Sequence, residues 1–150
     1  MKLCMAQINT LVGDIAGNTQ RVLEVSATQQ AAGAQVVIFP ELTLTGYPPE
    51  DLLLRGDLLD RTEAALAMLC AELPPDLTVV VGYPRGQDGV LFNSAGVISG
   101  GKLLAQYDKQ CLPNYEVFDE KRYFAAGAEP CVVDIDGLAV GLTICEDIWH

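Results

Sequence analysis

Val36-Val37-Ile38-Phe39-Pro40-Glu41 is the stretch that decides the fold class. The apolar run reads as a short buried strand, and Pro40, which has no N–H to give a ladder, ends it and leaves Glu41 just beyond its carboxyl end. Working outward, residues 2–8 read as an earlier strand. Between the two, Asn18 is a good N-cap for a helix carrying Leu23, Ala27, Ala31 and Ala34 on one face and ending at Gly33. Downstream, the turn-rich segment 43–55 gives way to a second helix with apolar positions Leu59, Leu66, Leu69 and Leu73, stopped by Pro74-Pro75. Residues 78–81, 90–98 and 103–107 read as strands, the last two joined at Ser99-Gly100-Gly101. A further hairpin pairs 131–135 with 138–144 across Asp136-Gly137, a dipeptide that accepts the positive φ of a two-residue turn. Strands alternating with amphipathic helices predict an α/β domain.

Bulk properties bound the function. At 150 residues, half of them hydrophobic, the chain is long enough for one core that buries roughly 70% of its unfolded surface. A net charge of −11, from 20 acidic and 9 basic residues, repels a phosphate backbone and supplies no basic stripe, so nucleic acid is not an expected partner. The start of the chain carries no signal sequence, and no apolar run approaches the roughly 20 residues that span a bilayer, so no membrane is expected either. Five cysteines, an odd number without a C-x-x-C pair, argue against a disulfide frame or a zinc knuckle and for a soluble, reduced, cytoplasmic setting. Cys4, Cys70, Cys111 and Cys131 sit in apolar surroundings and read as small buried side chains.

Three reactive groups fall at equivalent places: Glu41 after the strand at 36–39, Lys109 after that at 103–107, and Cys145 after that at 138–144. Side chains just beyond the carboxyl ends of strands converge on the ligand crevice of α/β folds. A thiol there is only slightly ionised at neutral pH and needs a base, which a carboxylate held close supplies, while an ammonium stabilises charge developing on a carbonyl oxygen. No metal is needed for that chemistry.

The strings Phe39-Pro40-Glu41-Leu42, Tyr107-Asp108-Lys109-Gln110-Cys111-Leu112-Pro113 and Ile144-Cys145-Glu146-Asp147-Ile148-Trp149 resemble, in order, the Glu, Lys and Cys motifs of the nitrilase (carbon-nitrogen hydrolase) superfamily. Within it, Ala6-Gln7-Ile8-Asn9, Val12-Gly13-Asp14, the run from Leu44 to Leu52 and the run from Pro113 to Phe124 are similar to the glutaminase domain of bacterial glutamine-dependent NAD synthetases. The resemblance implies an α-β-β-α sandwich. It also implies attack of Cys145 on the carboxamide of L-glutamine, with Glu41 as acid–base and a thioester intermediate. Oxyanion stabilisation would come from Lys109 and the backbone N–H of Glu146. The ammonia released would serve ATP-dependent amidation of deamido-NAD in a ligase whose synthetase domain, with ATP and Mg2+, is a partner of this one in a homo-oligomer.

The same resemblance gives Glu120 a supporting role at Lys109 or the acid–base pair, with a surface carboxylate as the equal alternative. Tyr115 and Glu146 are candidates for the substrate's α-ammonium, and Phe118 for the pocket wall, against ordinary loop packing for Tyr115 and Phe118. Two departures from the family stand out. The chain ends five residues after Cys145, so residues 1–150 read as a hydrolase domain cut after the nucleophile motif, without the later part of the sandwich. No Gly-rich pyrophosphate loop occurs, so ATP binding belongs only to a parent protein. A stand-alone amidase for another small amide, or an inactive structural fragment, are the alternative readings.

Overall fold

The computed structural model describes residues 1–149. Along the chain lie β1 (Leu3–Met5), α1 (Ile15–Ala31), β2 (Val36–Ile38), α2 (Gly56–Glu72), β3 (Thr78–Gln87), β4 (Val90–Ser99), β5 (Lys102–Asp108), β6 (Val132–Ile135) and β7 (Leu138–Gly141). Short 3-10 turns occupy Glu50–Leu54, Glu120–Arg122 and Cys145–Trp149. Strands β1 to β5 form one sheet in sequence order, parallel from β1 to β3 and antiparallel from β3 to β5. Two reversals return β5 to the direction of β2, so the carboxyl ends of both open on the same edge.

The period-two alternation of a strand distributes the core. Val37, Val79 and Val81 point to the face covered by α1 and α2, where they meet Ile15, Val22, Leu58 and Leu69. Val36, Val80 and Val97 point to the opposite face, which Val133 and Ile135 of the β6–β7 hairpin and Ile144 cover. Helices, sheet and hairpin thus form three successive layers of the expected sandwich. A second helical layer has no counterpart among the described residues, none of whose helices is long and apolar enough to cross a membrane.

Several sequence expectations need correction. Helix α1 begins before Asn18, because the Asp14 carboxylate caps it by accepting from the Gly17 amide at 3.0 Å. Asn18 lies inside the helix and ties loops together instead, donating to the carbonyls of Leu11 at 2.8 Å and Leu44 at 3.1 Å. The inward stripe therefore runs Ile15, Thr19, Val22 and Ser26, and Ala27 and Ala31 face solvent. In α2 the buried positions are Leu58, Thr62, Ala65 and Leu69, with Leu59 and Leu66 half-buried.

Strand β3 continues past the expected end at 81 to Gln87 and turns at Asp88-Gly89, both with positive φ. Pro84 is tolerated because β2 pairs no further than Val80, which leaves β3 an edge strand on that side. Finally, β7 stops at Gly141 in a two-stranded sheet of its own, short of the expected end at 144, and Cys145 opens a 3-10 turn rather than directly following a strand. Beyond the ladder, the Ile144 amide donates to the Asp147 carboxylate at 2.9 Å. Cys4, Cys70, Cys111 and Cys131, read as buried, are half-buried and free.

Gly82 is the point where the sheet touches the loop that carries Glu41. A Cβ there would stand 2.5 Å from the Leu42 nitrogen and 2.9 Å from the Pro40 oxygen, both backbone atoms. Gly82→Ala is expected to cost on the order of 1–3 kcal/mol, the usual range for overpacking. A urea midpoint equal to that of the unmodified protein would show that the loop can shift freely.

Candidate active site

Glu41 reaches the site because Pro40 ends β2 and the chain folds back at once. The Thr43 hydroxyl donates to the Pro40 carbonyl, and Leu42 and Leu44 are fully buried. On the neighbouring strand end, Arg85 of β3 forks onto Asp108 at 3.1 and 2.5 Å, and Ser94 of β4 donates to the same carboxylate at 2.5 Å. That clamp fixes the residue before Lys109, whose own amide donates to the Asn93 carbonyl at 2.8 Å.

The Lys109 side chain is completely buried and its Nζ lies 2.7 Å from Glu41 Oε1 and 2.9 Å from Glu120 Oε1. Asn93 Nδ2 donates to the same Glu41 oxygen at 2.6 Å. The Tyr47 hydroxyl lies 3.4 Å from Glu120 Oε1, and Glu120 Oε2 is buried without a partner. Burial is the largest single influence on Lys109 and works against its charge, yet the hydrogen bonds and charges of Glu41 and Glu120 together outweigh it and hold the ammonium above its ordinary range. Glu120 is pushed up, first by burial, although the Lys109 hydrogen bond opposes this.

Cys145 is exposed, with a left-handed φ of 46° that a side chain seldom adopts. Glu41 and Cys145 line one cavity of about 120 Å³ with Pro40, Gly82, Ala95 and Thr143. Burial and then the Glu41 charge raise the thiol above its normal value, against the pull of Lys109. The resting thiol therefore keeps its proton at neutral pH, next to a carboxylate able to accept it.

Asp147 joins the Cys145 turn to the segment after β5. One of its oxygens accepts from the amides of Gln110 at 3.1 Å and Cys111 at 2.7 Å, and the other from the Tyr107 hydroxyl at 2.7 Å and the Ile144 amide at 2.9 Å. At the rim, the Tyr115 hydroxyl donates to Glu146 at 3.0 Å and its ring meets Phe118 edge-on, 5.6 Å between centroids. Phe118 also lines a cavity of about 230 Å³ that reaches Tyr47 and Glu120. Among the described residues, no three His, Cys, Asp or Glu side chains are placed to hold a metal ion.

Glu41, Lys109 and Glu120 are thus in direct contact, Cys145 shares a cavity with Glu41, and Tyr115, Phe118 and Glu146 form a separate cluster beside them. Sequence reasoning assigned nothing to Asn93, Asp147 or Tyr47. Tyr47 and Asp147 lie inside quoted strings. Asn93-Ser94 left one trace, a polar pair in the middle of an otherwise apolar strand.

A buried ammonium between two carboxylates, with a thiol and one of those acids on a common cavity, is the equipment of a thiol-dependent acyl-transfer centre on a layered α/β fold. The chain belongs to the carbon-nitrogen hydrolase family, whose model matches residues 2–150. It is 43% identical, over 99% of its length, to a glutamine-dependent NAD(+) synthetase of Xanthomonas campestris, and 42% identical over its whole length to one of Aquifex aeolicus. The chain spans 27% and 26% of those two proteins. The solved glutamine-dependent NAD+ synthetase of Acinetobacter baumannii, in complex with ADP, superposes with a TM-score of 0.94 at 42% identity, covering 98% of this chain and 28% of that one. An amidase of Nesterenkonia sp. AN1 shares the fold, with a TM-score of 0.84 at 24% identity over 99% of this chain and 58% of its own.

Asp147→Asn tests the link between the two segments. The amide retains one acceptor oxygen and sets an NH2 group where the other stood, so whichever way it turns at least one backbone N–H loses its acceptor. A stability loss of roughly 1–3 kcal/mol is expected, together with faster hydrogen exchange at Gln110 and Cys111 or at Ile144. Unchanged exchange at all three amides would mean that the bonds carry no weight.

Proposed function

We propose that residues 1–150 form the first part of the hydrolase domain of a glutamine-dependent NAD synthetase, and that this domain releases ammonia from glutamine. One observation carries the reading: the Glu41, Lys109 and Cys145 motifs meet at one place in a chain 43% identical along 99% of its length to such a synthetase. Cys145 Sγ attacks the side-chain carboxamide carbon as its proton passes to Glu41. Negative charge gathers on the carbonyl oxygen, where Lys109 and the Glu146 N–H oppose it. Glu41 returns the proton to the nitrogen, the C–N bond breaks, ammonia leaves and a thioester remains. Water, deprotonated by Glu41, then breaks the C–S bond to give glutamate and the free thiol.

Glu120 supports the other end of the Lys109 ammonium in this scheme. The Tyr115–Glu146 pair supplies an acceptor for the α-ammonium of glutamine, with Phe118 against it. ATP and Mg2+ act in the synthetase domain, where the ammonia amidates deamido-NAD in the cytoplasm. The residues of this chain need no cofactor for the glutamine step.

Two experiments decide. In the full-length protein, Cys145→Ala is expected to abolish glutamine-driven NAD synthesis and spare ammonia-driven synthesis, since only the ammonia source is lost. Loss of both would make Cys145 structural. Glu41→Gln is expected to lower glutamine turnover by about 10²–10⁴-fold, the usual worth of positioned proton transfer. Because the Glu41 charge raises the Cys145 thiol, the same variant should shift the pH dependence of Cys145 alkylation downward. More thiolate with less turnover identifies a lost base. Retained turnover would remove Glu41 from the mechanism.

A further inference from the structure

We propose that Asn93 is a positioning residue for Glu41: its amide and the Lys109 ammonium together occupy Glu41 Oε1, which leaves Oε2 as the oxygen that takes the Cys145 proton. The inference rests on the proposed role of Glu41 as base and adds a residue that no motif marks.

Asn93 sits in β4 opposite Pro84, fully buried, where it contacts both neighbours of the site at once. Its backbone carbonyl accepts the Lys109 amide at 2.8 Å, and its Nδ2 donates to Glu41 Oε1 at 2.6 Å. With Lys109 Nζ at 2.7 Å on the same atom, Oε1 carries two strong donors. The orientation of the amide follows from chemistry, because a flipped amide would set Oδ1 against a carboxylate oxygen with no hydrogen between them.

Asn93 Oδ1 is buried without a hydrogen-bond partner. A buried acceptor left unpaired is unfavourable, and an apolar side chain of similar size would remove that cost, so packing alone does not account for an amide here. What the amide contributes is its donor. The Asn93 amide also draws the Glu120 carboxyl down, so this neutral group serves both acids without adding charge. The other titratable groups facing Glu41 are Lys109 after β5, Glu120 in its 3-10 turn, Cys145 across the cavity and Tyr47 in the loop beyond Glu41. Of the two side chains that donate to Glu41, Lys109 is charged and Asn93 is neutral, and Asn93 is rigid because its strand is paired on both sides.

The test is made in the full-length protein with glutamine as substrate. Asn93→Asp keeps the volume and replaces the donor with an acceptor that must share a proton with Glu41, as paired carboxylates do. The expected result is a fall in kcat of about 10²-fold with little change in KM, and an acid limb of the pH profile displaced upward by about one unit or more, since the pair now holds its proton to higher pH. A wild-type pH profile overturns the proposal.

Should that variant not fold, Asn93→Ser and Asn93→Ala decide. They remove similar volume, but only serine retains a donor, so serine is expected to recover part of the activity alanine loses. Equal activity of the two overturns the proposal. Cys145→Ala run alongside separates the two levels. Glutamine turnover surviving in it defeats the reading of the site itself, whereas an inactive Cys145→Ala beside an Asn93→Asp of normal pH profile defeats only the role of Asn93.

Discussion

The Lys109 ammonium, completely buried between Glu41 and Glu120, is the constraint on which the rest of the site depends. Withdrawing such a charge from water costs several kcal/mol unless partners satisfy it, and here two carboxylates must come to it. One arrives on the loop after β2 and the other on the turn at Glu120–Arg122, so both segments are drawn over the end of β5. The sheet has to be rigid at that end for the pairing to hold. The fork of Arg85 on Asp108, with Ser94 on the same carboxylate, ties β3, β4 and β5 together one residue before Lys109.

How much of this is legible in sequence depends on how local its cause is. The strand at Val36–Ile38 and the hairpins at Gly100-Gly101 and Asp136-Gly137 are legible because apolar runs and positive-φ turn residues act within a few positions. The start of α1 is not. Asp14 and Asn18 are both competent caps, and what removes Asn18 from that role is its bond to the Leu44 carbonyl, 26 residues away. The inward face is hidden for a different reason: its buried positions Thr19 and Ser26 are polar, while Ala27 and Ala31 are apolar and exposed. The length of β3 was hidden by Pro84, a breaker that is harmless only because the neighbouring strand has already ended.

The site divides along the same line. Glu41, Lys109 and Cys145 stand in short strings that resemble family motifs and can be read in place. Asn93 and Asp147 act on partners 52 and 36 residues distant, Glu41 and Cys111, and nothing next to them in sequence points there. An asparagine within a strand, or an aspartate two residues past a cysteine, acquires meaning only once the fold has brought the partner near.

These contacts give the thiol an unusual setting. Burial, and after it the Glu41 charge, holds the Cys145 thiol above its ordinary value against the pull of Lys109, with a further push from Glu120. Many reactive cysteines are activated the opposite way, by a depressed value that stores the thiolate at rest. A thiolate formed from a more basic thiol is the stronger nucleophile, but it is scarce. In the proposed reaction that scarcity is offset by Glu41, which takes the proton as attack begins, so the charge passes from sulfur to the carbonyl oxygen. The donors for that oxygen, Lys109 and the Glu146 N–H, lie on the two segments that Asp147 holds together. The proposed nucleophile, base and oxyanion donors are therefore tied through one network, in which burial and then the Glu41 charge hold the Cys145 thiol above its ordinary value.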